Sequence, residues 1–163
     1  MFDWNAYLSE CFHSTEYLCL ATIDGEQGVW SSPVYFAWDT AFGLYFISLP
    51  NSRHMKNIIL DGRVAVSIYP TSQSTHGDVI GAQIEGVATI LKDREAIKNA
   101  YATYFGRVYP EKGKSDDKTP DDFMQQDSWR FVKITPKNVW YFDTRFFDEE
   151  KQGRQLVPRE LYS

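Results

Sequence analysis

Hydrophobic residues gather in short runs that polar turn segments separate, and in the runs at 63–69 and 79–91 they alternate with polar or small residues. This pattern predicts six strands, or seven if the last is broken near Pro136, with bounds at 16–24, 29–38, 43–49, 63–69, 79–91 and 129–142. Pro33 predicts an edge or a bulge in the second strand. Gly86 predicts a bulge or a close backbone approach in the fifth strand.

Three further segments have apolar residues at helical spacing, and each follows a residue that can cap a helix. The predicted helices cover 3–11, 52–60 and 93–105, with Asp3, Ser52 and Asp93 as their caps. Polar segments at 70–78 and 110–122 predict loops, and a helical turn is expected at 121–126. The polar chain after Arg145 is expected to fray.

The order of these elements predicts the fold class. Tight turns between consecutive strands favour antiparallel neighbours, and the helices are inserted rather than alternating with the strands. We therefore expect a mainly β protein, an antiparallel barrel or sandwich with inserted helices, and not a doubly wound parallel sheet. The 163 residues favour one domain over 1–163, with its core at about 14–143 and a polar tail at 146–163.

Composition and charge exclude several classes of function. A net charge of -5 argues against a nucleic-acid partner, and no apolar run approaches the ~20 residues that span a bilayer. The N-terminus lacks the features of a secretion signal, so a cytoplasmic location is expected. The two cysteines, Cys11 and Cys19, do not predict a disulfide framework. With three histidines and no CxxC motif, a metal site is not expected either. The aromatic share of 16% is high and suits strands and flat pockets.

The segment SLPNSRHMKN, at 48–57, carries the most specific chemistry. A strand ends there and a helix begins with Arg53, His54 and Lys56, so cationic side chains join the free N–H groups of a first helical turn. Arg53, Lys56 and Asn57 are expected to share one face of this helix. Such an arrangement suits a phosphate, although a solvated helix face explains the same residues.

Two other segments offer groups for a planar ligand. The strand around Pro33 places Ser31 and Ser32 beside Val34 and Tyr35, where backbone groups freed by a bulge could bind a planar ligand. An edge strand of a hydrophobic barrel explains the same residues without a ligand. Gln83 lies on the face opposite the isoleucines of its strand, where its amide can donate and accept, or can simply face water. No GxSxG, GxGxxG, P-loop or HExxH motif is present, and no catalytic residue stands out.

These segments occur in an order that resembles a known family. The sequences YLCLATIDGEQGVWSSPVYFAWD, GLYFISLPNSRHMKNIILDGRVAVSIY, GAQIEGVATIL and FVKITPKNVWYFD follow one another over about residues 14–143. Together they resemble the pyridoxamine 5'-phosphate oxidase-like family, the FMN-binding split β-barrels. The resemblance implies a six-stranded antiparallel split barrel that forms a homodimer with two FMN molecules at the dimer interface.

The resemblance also implies roles for particular residues. Arg53 and His54 would hold the FMN phosphate, with Lys56, Asn57 and Ser48 nearby. The flavin ring would lie along the strand that contains Ser32, Val34 and Tyr35. Gln83 would reach the ring, and Trp140 or Phe142, from the partner subunit, would stack near its dimethylbenzene end. The full set of expected cofactor-binding residues is Ser32, Val34, Tyr35, Ser48, Arg53, His54, Lys56, Asn57, Gln83 and Trp140.

The chain also departs from the family pattern. It lacks the C-terminal Arg-x-His signature that holds substrate phosphate in the pyridoxamine phosphate oxidases, so that activity is not expected. Many relatives carry lysine where this chain has His54. One hypothesis is therefore an FMN-dependent oxidoreductase of unknown small-molecule substrate or electron donor. The alternative is a non-catalytic dimer that binds a flavin, haem or a deazaflavin as a carrier or sensor.

Overall fold

The structure is a computed structural model, and it describes residues 2–26, 28–73, 77–108, 118–125, 128–147 and 153–162. Three α-helices are described: α1 at Trp4–His13, α2 at Arg53–Leu60 and α3 at Arg94–Val108. The first five strands are β1 (Tyr17–Ile23), β2 (Val29–Tyr35), β3 (Ala37–Trp38), β4 (Leu44–Ser48) and β5 (Arg63–Ile68). The other three are β6 (Ile80–Ile90), β7 (Arg130–Asp143) and β8 (Arg154–Leu156), and 3₁₀ turns cover Pro120–Met124 and Arg159–Leu161.

The strands form one antiparallel sheet that curls around the core, as the predicted split barrel requires. Their order is β2-β1-β5-β6-β7-β4-β3, and β8 pairs with β7 outside this path. The inward side chains of β1, β5 and β6 make up much of the core, and they include Leu18, Leu20, Val64, Val66, Ile68, Ala82 and Ile84. The alternation of β5 and β6 is therefore the pattern of strands with one buried face.

Two local strand predictions are confirmed. Pro33 lies in β2, which is an end strand of the sheet, where a missing backbone N–H costs no ladder bond on its outer side. The pairing of β6 with β7 shifts between Glu85 and Gly86. A Cβ atom at Gly86 would lie 2.7 Å from the Thr135 carbonyl oxygen, so the glycine allows the close backbone approach that the sequence predicted.

The described residues form eight strands, where the sequence predicted six or seven, and β7 continues through Pro136 without the predicted break. The predicted strand at 29–38 is broken at Phe36, and β2 pairs with β1 whereas β3 pairs with β4. The expectation that the tail frays is wrong for residues 153–162. β8 extends the sheet beside β7, and Val157 and Tyr162 join the hydrophobic core. The predicted loops at 70–78 and 110–122 and the turn at 121–126 lie partly outside the described residues.

Candidate functional site

Four residues separate the end of β4 from the start of helix α2, and one side of this helix packs against the core. Met55 and Ile58 are buried, so they fix the helix to the barrel. Arg53 and Lys56 are exposed in its first turn. The structure thus brings together a guanidinium, an ammonium group and the start of a helix, whose dipole favours an anion.

Two neighbours hold the side chain of Arg53 in place. Its guanidinium carbon lies 4.3 Å from the centre of the Trp30 ring, and its Nη2 donates to Asp24 Oδ2 at 3.3 Å. The backbone N–H groups of Gly28 and Glu26 lower the pKa of Asp24, and Arg53 lowers it further. Since 52% of the Arg53 side chain remains exposed, it can still meet a ligand.

Next to Arg53 lies a cluster of two hydroxyls and an imidazole. Nε2 of His54 is 2.7 Å from Oγ of Ser48 and 3.2 Å from Oγ of Ser52, and the two hydroxyl oxygens are 3.1 Å apart. Burial lowers the pKa of His54, which favours the neutral ring. Ser52 is the N-cap residue of α2, as predicted, but its side chain makes no cap hydrogen bond. The hydroxyl bonds to this cluster instead.

Asn57 does not lie on the face of α2 that the sequence predicted. It was expected beside Arg53 and Lys56 on the open side, but it is only 3% exposed. Its Nδ2 donates to Oγ1 of Thr22 at 3.0 Å, because this flank of the helix lies against β1. Asn57 therefore ties α2 to the sheet, and its side chain reaches Thr22 instead of the open face of the helix.

The residues predicted on β2 do not share one face. Val34 lies in the main hydrophobic core, and Ser32 is also buried, at 8% exposure. Tyr35 points to the opposite side, where its ring meets Tyr104 at a centroid distance of 5.5 Å. The side chain of Val34 is thus a core side chain, and a ligand would meet only its backbone.

Gln83 and Trp140 lie opposite each other on β6 and β7. They line a cleft of about 310 Å³ on the outer face of the sheet. Arg154 of β8 completes it: its Nη1 donates to Oε1 of Gln83 at 2.8 Å, and its guanidinium carbon lies 5.8 Å from the Trp140 ring centre. Sequence reasoning missed Arg154, because a three-residue strand in a polar tail has too short a pattern to identify.

Several kinds of site are not found in the described part of the chain. No group of three or more His, Cys, Asp or Glu residues is placed to hold a metal ion there. Across the same residues, no buried side-chain nitrogen or oxygen lacks a hydrogen-bond partner. No helix among them is long and apolar enough to cross a membrane.

The curled antiparallel sheet, with a helix inserted after β4 and a cationic first turn, defines a split-barrel protein. The sequence model of the pyridoxamine 5'-phosphate oxidase family matches residues 6–143. The chain belongs to this family. No curated protein matches the sequence.

Solved structures share the fold at low identity. A conserved hypothetical protein from Mycobacterium tuberculosis is 21% identical, with a TM-score of 0.70 over 89% of this chain and 88% of that one. The haem storage protein HutZ from Vibrio cholerae is 14% identical, with a TM-score of 0.64 over 85% and 94%. A haem-binding protein from Mycobacterium smegmatis is 16% identical, with a TM-score of 0.69 over 99% of this chain and 61% of that longer chain.

Proposed function

We propose that this chain binds FMN, works as an oxidoreductase on a small molecule, and forms a homodimer in the cytoplasm. The observation that carries the proposal is the start of α2, where Trp30 and Asp24 hold Arg53 and where Lys56 and His54 are close in sequence. This donor set fits a phosphate: the guanidinium can bind two oxygens, and the first helical turn adds N–H groups. Arg53, Lys56 and the hydroxyls of Ser48 and Ser52 would hold the phosphate.

The cleft of Gln83 and Trp140 suits the ring of the cofactor. Trp140 offers an aromatic wall, and Gln83 and Arg154 offer hydrogen-bond donors at its rim. Bound FMN would supply hydride transfer, whereas the protein would orient the ring and set its electrostatic surroundings. We assign no general acid or base, since no residue of the site is arranged for that role.

The homodimer is part of the proposal for two reasons. Membership of the family implies that each FMN lies at a dimer interface, so the α2 group of one subunit and the Gln83 cleft of its partner can form one site. Large apolar side chains are also exposed next to the α2 site: Val29 is 80% exposed, Ile59 66% and Leu60 68%. Exposed apolar patches of this kind mark protein interfaces. A monomer mass in light scattering, with FMN bound, would remove the dimer from the proposal.

Haem is the second candidate ligand, and the observation that favours it is the fold shared with two haem-associated proteins. Against it, Nε2 of His54 already bonds to two hydroxyls, and His13 Nδ1 lies 2.7 Å from the Ser9 carbonyl oxygen. The absorbance spectrum separates the candidates. Flavin bands at a ratio near one per chain would support FMN, and a Soret band would support haem. A deazaflavin would differ from both in its absorbance.

The phosphate assignment is tested with Arg53→Ala. Because Arg53 is half exposed, we expect FMN affinity to fall roughly 10- to 100-fold, about 1.4–2.8 kcal/mol. Riboflavin, which has no phosphate, should bind both proteins equally in the same fluorescence titration. Arg63→Ala is the matched control, since Arg63 is an exposed arginine that follows the C-terminal end of α2 and forms an ion pair with Asp61. Equal weakening of FMN and riboflavin, or no weakening of FMN, would refute the assignment.

A further inference from the structure

We propose that His54 takes up a proton when a phosphate monoester binds at the start of α2, so that the site holds its phosphate more tightly as the pH falls. The inference rests on the proposed function, in which this site binds the FMN phosphate. It assigns to His54 a positioning role that acts through the hydroxyls of Ser48 and Ser52.

The geometry of the cluster makes the protonation state of His54 matter. One nitrogen, Nε2, lies within hydrogen-bond distance of both hydroxyl oxygens. When Nε2 carries no proton it can only accept, and a hydroxyl must turn its hydrogen toward the ring. When Nε2 carries a proton it donates to a hydroxyl oxygen, and that hydroxyl can turn its own hydrogen outward. The neutral tautomer with its proton on Nε2 orients the hydroxyl in the same way, but only the imidazolium also places a positive charge beside the phosphate. The charged ring therefore both orients Ser48 or Ser52 as a donor and attracts the anion.

The surroundings favour the neutral ring while no anion is present. The Ser48 side chain is buried, at 6% exposure, and the centres of the His54 and Phe46 rings are 6.0 Å apart. Strand β4 therefore covers one side of the imidazole with an aromatic ring and a buried hydroxyl. This desolvation lowers the pKa of His54. A phosphate dianion would add the opposite charge and raise that pKa again.

The charged side chains near this cluster do not stabilise a positive charge on His54 as a bound phosphate would. On α2 itself they are Arg53 and Lys56, both cations, which disfavour a further positive charge. From the turn between β1 and β2, Asp24 approaches, but its carboxylate pairs with Arg53. From β7, Arg130 lies opposite Ser48 in the strand register, and it is a cation as well. A bound phosphate is therefore the group that would stabilise the imidazolium.

Proton uptake has a measurable signature. Between the pKa of His54 in the free protein and its higher pKa in the complex, affinity changes about tenfold per pH unit. The phosphate itself titrates near pH ~6. Because wild type and a His54 variant share that titration, the ratio of their dissociation constants isolates the contribution of His54.

The experiment is a fluorescence titration of FMN at several pH values between about 5.5 and 8.5. We expect the ratio of dissociation constants, His54→Gln over wild type, to rise at least about tenfold from the alkaline to the acidic end. His54→Lys should bind FMN with no pH dependence beyond that of the phosphate. Riboflavin should bind at all pH values without this dependence, and His13→Gln, on α1, should behave as wild type.

A second measurement counts protons in wild type and in His54→Gln, which share the titration of the phosphate. Calorimetric titration of FMN over the same pH range, in buffers of different ionisation enthalpy, should report up to one more proton taken up per site by wild type than by the variant. A ratio that stays constant with pH while FMN binds, or an equal proton count for the two proteins at every pH, would overturn the role of His54 and leave the proposed function standing. If FMN fails to bind wild type at any pH, both the proposed function and this inference fall.

Discussion

Arg107 near the end of α3 joins three parts of the fold and gives the most quantitative stability prediction. Its Nη2 donates to the Phe12 carbonyl oxygen at 2.8 Å and also to that of Thr15, just after α1. Its Nη1 donates to the carbonyl oxygen of Phe36, the residue at which β2 and β3 separate. The guanidinium carbon also lies 4.4 Å from the Phe36 ring centre and 4.5 Å from that of Trp38. One side chain therefore connects α1, α3 and the edge of the sheet.

Replacing Arg107 with glutamine leaves these three carbonyl oxygens without their donor. A partly buried group that loses its hydrogen bond costs about 1 kcal/mol or more. Three such losses predict that Arg107→Gln lowers the free energy of unfolding by about 3 kcal/mol. For a chain of this size, that corresponds to a melting temperature about 6–12 °C lower. Arg107→Lys keeps the charge but not the fork of donors, and it should lose an intermediate amount.

Urea unfolding followed by circular dichroism measures this loss. The matched control is Arg94→Gln, at the other end of the same helix, because Arg94 forms an ion pair with Asp121 in which both side chains are more than 60% exposed. We expect the control to remain within about 0.5 kcal/mol of wild type. If Arg107→Gln and Arg94→Gln unfold at the same urea concentration, the carbonyl contacts of Arg107 contribute nothing measurable and the reasoning fails.

Two further predictions concern local structure. Gly86→Ala should destabilise the protein by about 1–3 kcal/mol, because the new Cβ would lie 2.7 Å from the Thr135 backbone oxygen. Gly106 lies in a helix, and a Cβ atom there would meet no atom within 4 Å, so Gly106→Ala should stabilise the protein by about 0.5–1 kcal/mol. Equal melting temperatures for the two glycine variants would contradict both predictions. Asp3→Ala should lower the free energy of unfolding by about 1 kcal/mol, since Asp3 accepts a hydrogen bond from the Ala6 N–H. Ser52→Ala should show no such loss, because the Ser52 side chain makes no cap hydrogen bond. Equal losses in the two variants would contradict this difference.

The sequence by itself determined the elements whose signal is local. The period of two in β5 and β6 identified both strands and their buried faces, because the pleat alone places alternate side chains on opposite sides. Asp3 was identified as a cap because its partner lies three residues away. Pro33 indicated the edge because a missing N–H is tolerated there. The ordered motifs were also enough to indicate the family that the sequence model confirms.

Only the tertiary structure decided which surfaces are covered. Asn57 has helical spacing from Arg53, yet its partner Thr22 lies 35 residues earlier, so no local pattern could show that this flank of α2 is buried. Ser52 bonds to the hydroxyl–imidazole cluster because β4 brings Ser48 beside it. Arg154 reaches Gln83, 71 residues away in sequence, because β8 pairs with β7. Periodicity fixes what a segment can form, whereas burial and side-chain partners depend on contacts between segments that are distant in sequence.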